Sequence, residues 1–124
     1  MTPIYKIVPS ALWRAAQDTG RFPGAGVDLA DGYIHFSTAA QVRDTAAKHF
    51  ADVADLLIVA VDSDALAPAL RWEPSRGGDL FPHLYQDLPM NAVQWVEPLP
   101  VNANGRHEFP AAMALDGGRD GDNA

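Results

Sequence analysis

The chain has 124 residues, 48% hydrophobic and 20% charged, with 9 Lys and Arg against 16 Asp and Glu, for a formal net charge of −7. That length fits one domain with a substantial core, and the acidic balance argues against a general grip on nucleic acid or an anionic membrane, leaving room for a local basic pocket. Cysteine is absent, which excludes disulfides, thiolate chemistry and cysteine-ligated metals and suits a cytoplasmic protein. No basic region followed by an apolar segment opens the chain, so no signal peptide is read. The longest aliphatic run, Leu56 to Val61, falls far short of the roughly twenty residues that cross a bilayer.

In chain order, Ile4 to Val8 predicts a first strand, with Tyr5 and Ile7 on one face and Lys6 and Val8 on the other. Ser10 is an expected N-cap for a helix from about Ala11 to Asp18 that buries Leu12, Trp13 and Ala16 and stops at Gly20. Residues 21–31, with Pro23, Gly24 and Gly26, read as an irregular loop. Tyr33 to Ser37 reads as a short strand placing Tyr33, His35 and Ser37 on one side. Thr38 and Gln41 then match a capping box that opens a helix to about Phe50. Leu56 to Val61 has no polar position, so it is expected to be a central strand covered on both faces. Asp62-Ser63-Asp64 predicts a helical turn through Leu66. Leu70 to Glu73 predicts a strand with Trp72 packed and Arg71 and Glu73 opposite it, and Pro74 either stops that strand or places it at an edge. Ser75 to Gly78 is a turn, Leu80 to Tyr85 an extended segment with Phe81, His83 and Tyr85 on one side, and Ala92 to Glu97 a last strand. The fold class is therefore α+β, with two early helices on a strand-rich second half. Residues 1–100 form the globular domain, 101–115 a loosely ordered extension, and 116–124, with three Gly and three Asp, a disordered tail.

Two stretches concentrate chemistry: Tyr33 to Ser37, and Arg71 to Tyr85. His35 reads either as a proton-transfer group or as a half-buried histidine bonded across the sheet, and His83 either as a second catalytic group or as part of a packed aromatic sheet. Arg71 and Glu73 can contact a ligand or pair across strands. Arg76 beside Gly77-Gly78 can grip a phosphate or carboxylate, or simply make a hairpin turn. Tyr5, Lys6, Ser37 and Tyr85 complete the candidate ligand contacts. The four histidines, His35, His49, His83 and His107, lack metal-ligand spacing, so no metal is assigned. No Gly-x-Ser-x-Gly elbow or P-loop occurs.

Ile4-Tyr5-Lys6-Ile7, Asp31 to Thr38, Arg71 to Gly78 and Phe81 to Tyr85 together resemble the uncharacterised bacterial proteins of domain-of-unknown-function family 952, over about residues 3–100. That family in turn resembles a small ADP-ribosyltransferase-like fold with a split or highly curved β core. Tyr5 matches a first-strand tyrosine of the RNA 2′-phosphotransferases, and Ile34-His35-Phe36-Ser37 matches their Val-His-Leu-Ser, whereas Lys6, Asp31 and Tyr33 depart from their pattern. The resemblance implies a cleft for a nucleotide-like or phosphorylated ligand, with NAD as the implied cofactor. In it Lys6, Arg71 and Arg76 would hold the anion and His35 would transfer a proton, oriented by Ser37. The alternative is a non-catalytic ligand-binding or protein-interaction module on a degenerate scaffold of this kind. Fold analogy alone does not establish either.

Overall fold

The structure is a computed structural model that describes residues 2–113, without the side chain of Arg76. The predicted tail 116–124 therefore lies outside the described residues. Strand β1 (Pro3–Pro9) leads into helix α1 (Ser10–Thr19), β2 (Arg21–Phe22), helix α2 (Gly26–Asp31), β3 (Ile34–His35) and helix α3 (Ala39–His49). Strands β4 (Leu56–Asp62), β5 (Leu70–Pro74), β6 (Leu80–Leu84), β7 (Leu88–Pro89) and β8 (Val93–Pro98) follow. The mixed α+β class stands. No helix of the described residues is long and apolar enough to cross a membrane.

β4 is the central strand of an antiparallel sheet of order β1-β4-β8. Its period-two alternation sends Val59 and Val61 into one buried cluster, with Ile4, Val8, Trp13 and Phe22, and Ile58 and Ala60 into another, with Tyr5, Ile7, Val42 and Ala46. Because both faces are covered, α1 on the first and α3 on the second, a polar residue fits nowhere in the run. The second three-stranded sheet has the order β3-β6-β5, so β5 is an edge strand, consistent with Pro74 at its end. Among the described residues the two sheets are joined at one isolated bridge: Tyr5 N–H donates to Ser37 O at 2.8 Å and Ser37 N–H to Tyr5 O at 2.9 Å. A cleft lined by residues of both β1 and β3 lies beside that pair.

Several local expectations change. Ser10 does not cap α1; its hydroxyl donates to Asp55 O at 2.8 Å, and Pro9 stands at the cap. Leu12 is 42% exposed rather than buried, because Trp13 and Ala16 alone face the sheet. The stretch read as a loop holds β2, which pairs with β7, and a third helix, α2. Trp72 is 42% exposed rather than packed, since its sheet face runs out at the β5 edge. The expected strand over 33–37 shortens to Ile34–His35. Other expectations hold: Gly20 closes α1 at φ 86°, Thr38 N–H donates to the Gln41 side-chain oxygen at 3.0 Å, and Asp62 accepts from Asp64 N–H to start the turn Ser63–Leu66. In the segment read as loosely ordered, Val101 bridges His107, Phe109 lies beneath the Arg43 guanidinium, and Met113 is buried.

Candidate functional site

The antiparallel register sets His35 directly opposite His83, and His83 opposite Arg71. Residues opposed in this way point to the same face of a sheet, so β3, β6 and β5 present His35, Phe81, His83, Arg71 and Glu73 together. The Tyr33 ring lies among them, with centroids 4.6 Å from His35, 4.3 Å from His83 and 5.1 Å from Tyr85. The two histidine rings are 5.3 Å apart, and the Arg71 guanidinium lies 5.2 Å from the Tyr85 ring centre. The two chemistry-bearing stretches of the sequence therefore meet.

Each histidine is held through Nδ1 by a carboxylate. His83, buried, has Nδ1 at 2.9 Å from Glu73 Oε1, which also accepts from the Tyr85 hydroxyl at 2.7 Å. A carboxylate only accepts, so Nδ1 carries the proton and Nε2 is the basic nitrogen of the neutral ring. Hydrogen bonds from Tyr85 and His83 hold the Glu73 carboxyl below its usual range; the same bond to Glu73 pushes the Tyr85 hydroxyl up. Tyr33 is also raised, by partial desolvation and by the charges of Asp31 and Glu73.

His35 is clasped by α2. Its Nδ1 is 2.6 Å from Asp28 Oδ1 and its Nε2 is 3.1 Å from Asp31 Oδ2. Asp28 is fully enclosed. It accepts from the backbone N–H of Ala25 at 2.9 Å and of His35 at 3.1 Å, and pairs with Lys6 Nζ at 2.8 Å. Burial opposes its charge, but the His35 hydrogen bond and Lys6, with Ala25, hold its carboxyl down at about 2. Burial likewise lowers Lys6, with Asp28 opposing. Gly24 allows this approach: at φ +115°, an added Cβ would sit 2.8 Å from Asp28 Cβ.

This ion pair has a pH signature. A carboxyl depressed in the folded state adds stability above its unfolded value, which is lost as pH falls through the folded value. Asp28 therefore makes the fold weaken from about pH 4 toward about pH 2. A carboxyl ¹³C titration should place the Asp28 midpoint near 2; a midpoint at 4 or above would contradict the arrangement.

A cleft of ≈ 530 Å³ lies against this face, lined by Tyr5 and Lys6 of β1, Val27 of α2, His35 and Ser37, His49 of α3, and Phe81 and His83 of β6. Of the residues read from the sequence, Tyr5, Lys6, His35, Ser37 and His83 reach it, while Arg71, Glu73 and Tyr85 stand beside His83. Two assignments change. Lys6 is paired with Asp28 rather than free to hold an anion. Ser37 does not orient His35: its hydroxyl bonds Thr45 Oγ1 at 3.0 Å, and Asp28 does the orienting. The Arg76 side chain lies outside what the structure describes; its backbone sits in the turn Arg76–Gly78, with Gly77 at φ 68°. Asp28 and Asp31 are the residues the sequence reading missed. For Asp28 the signal is an acid at the third position of a short helix that Gly32 closes; Asp31 is the last residue of that helix.

A family model described as "Protein of unknown function (DUF952)" matches residues 7–96. No curated protein matches the chain. Its structure is similar to the crystal structure of protein CC0527 from Caulobacter crescentus, with 46% identity, coverage of 92% of this chain and 100% of that one, and a TM-score of 0.88. A crystal structure of a double mutant of CC0527 gives 44% identity, the same coverage and a TM-score of 0.87. The solution NMR structure of CC0527 gives 46% identity over 93% of this chain and 99% of that one, with a TM-score of 0.81.

Proposed function

Because the chain belongs to the DUF952 family of proteins of unknown function, we propose its role from the cleft itself: it binds a nucleotide-like ligand of the NAD or ADP-ribose type, with His83 as the acid–base group. One observation carries this reading. Two histidines face each other on neighbouring strands, each oriented through Nδ1 by a carboxylate, an arrangement suited to proton transfer at a bound ligand. Tyr5 and Phe81 line the cleft as aromatic surface for a planar ring, with the packed rings of Tyr33 and Tyr85 beside His83. Asp28, Asp31 and Glu73 surround the site while Lys6 is already paired. The cleft therefore favours a ring that carries or develops positive charge over a bare phosphate, and Arg71 at the rim is the guanidinium placed to meet a phosphate. The split between β1 and β3, with the Ile34-His35-Phe36-Ser37 segment on its wall, supports kinship with the ADP-ribosyltransferase-like fold.

Calorimetry with NAD, ADP-ribose and nucleoside phosphates tests binding, and chromatography of NAD incubations tests turnover. We expect saturable binding of at least one of these, and a His83→Ala variant that keeps binding while turnover falls on the order of 10²–10⁴-fold. No heat at millimolar ligand, together with unmoved imidazole signals of His35 and His83, overturns the reading. A non-catalytic module is the second reading, favoured by one feature: both ring nitrogens of His35 already face carboxylates. Saturable binding without turnover selects it.

A further inference from the structure

We propose that a second groove, sharing no lining residue with the cleft, binds amphipathic carboxylates: small acids with an aliphatic or aromatic body. It has a volume of ≈ 540 Å³ and runs between α3 and the C-terminal hairpin in which Val101 bridges His107. Arg43, Ala46 and Ala47 stand three and four residues apart, so they share one side of α3. Alanine ends at Cβ, which makes this wall apolar and leaves the volume beside it open. Phe109 supplies the aromatic part of the lining.

The opposite wall is held firmly. The Asn102 side-chain oxygen accepts the N–H groups of Asn104 at 2.9 Å and Arg106 at 3.2 Å, and Asn102 N–H donates to Arg106 O at 2.7 Å. Asp52 N–H donates to Gly105 O at 3.1 Å and His107 Nε2 lies 2.8 Å from Val53 O, which tie the hairpin to the chain that leaves α3.

Charge chooses the occupant. Arg43 and Arg106 line the groove against the single carboxylate of Asp52, a local positive excess in a chain of net charge −7. The Arg43 guanidinium lies 4.5 Å over the Phe109 ring. A ring contact of this kind uses no N–H donor, so the guanidinium donors serve a carboxylate fork in the proposal. An acid group between the arginines and an apolar body along the alanines and Phe109 would satisfy both features. Phosphate alone would satisfy only the first.

The test is a methyl and amide NMR titration of the full chain with phenylacetate, octanoate and inorganic phosphate. We expect saturable shifts at Ala46, Ala47 and Gly105 with at least one of the acids. Arg43→Ala and Arg106→Ala, both at exposed positions, should each raise Kd at least fivefold. Ala47→Leu should block binding without altering charge, and His83→Ala should leave Kd unchanged. The proposal is overturned by the absence of saturable shifts at these residues, by shifts confined to the His35 and His83 cleft, by an equal response to phosphate, or by unchanged Kd in both arginine variants.

Discussion

Asp28→Ala lowers the unfolding free energy by about 3–5 kcal/mol, the usual cost of removing one partner from a buried ion pair. The substitution leaves the Lys6 ammonium, 7% exposed, with its charge uncompensated. It also strands the backbone N–H groups of Ala25 and His35 and the His35 ring nitrogen that Asp28 now satisfies. Against a typical total stability of about 5–15 kcal/mol, that is a large share. The double substitution Lys6→Met with Asp28→Leu should recover only the part of the loss that the Lys6 charge causes, because the N–H groups of Ala25 and His35 stay without their acceptor. Urea unfolding followed by circular dichroism measures both. A single-variant cost below about 1 kcal/mol would show that the Lys6 charge finds another partner.

Trp13→Ala costs a similar amount, about 3–5 kcal/mol. Trp13 is 2% exposed and packs at 5.7 Å against Phe22, beneath the face of β4 that carries Val59 and Val61. Its indole Nε1 is buried and has no partner among the described residues, so removing that N–H gives up no hydrogen bond. Trp13→Phe should therefore cost well under half as much as Trp13→Ala, since a buried donor without a partner already costs about 1–3 kcal/mol. Thermal and urea unfolding of the two variants provide the comparison, and equal losses would show that the N–H is satisfied in the fold.

What is legible in the sequence is what short-range pattern decides. The run Leu56 to Val61 announces a doubly covered strand because no polar residue interrupts it. Thr38 and Gln41 announce α3 because their capping contact spans only three residues. Alternation places Arg71 and Glu73 on the face that carries the site. Helix α2 is not legible in the same way. It is six residues long among Pro23, Gly24 and Gly26, and what holds Asp28 in place includes Lys6, twenty-two positions away. Ser10 carries the signature of a cap, yet tertiary structure brings Asp55 O within its reach. The meeting of His35 with His83 depends on the pairing of β3 with β6, which neither stretch encodes alone.

The Tyr5–Ser37 bridge between the sheets has a consequence for how recognition in the cleft can be studied. Tyr5 turns its peptide N–H and C=O toward Ser37, and in an antiparallel strand the residue two positions on turns its own peptide groups to the same edge. That residue is Ile7, which lines the cleft. The cleft floor thus borders a strand edge as well as side chains. A ligand amide aligned along that edge would be read by main chain, and a scan that replaces side chains one at a time would pass over such a contact without registering it.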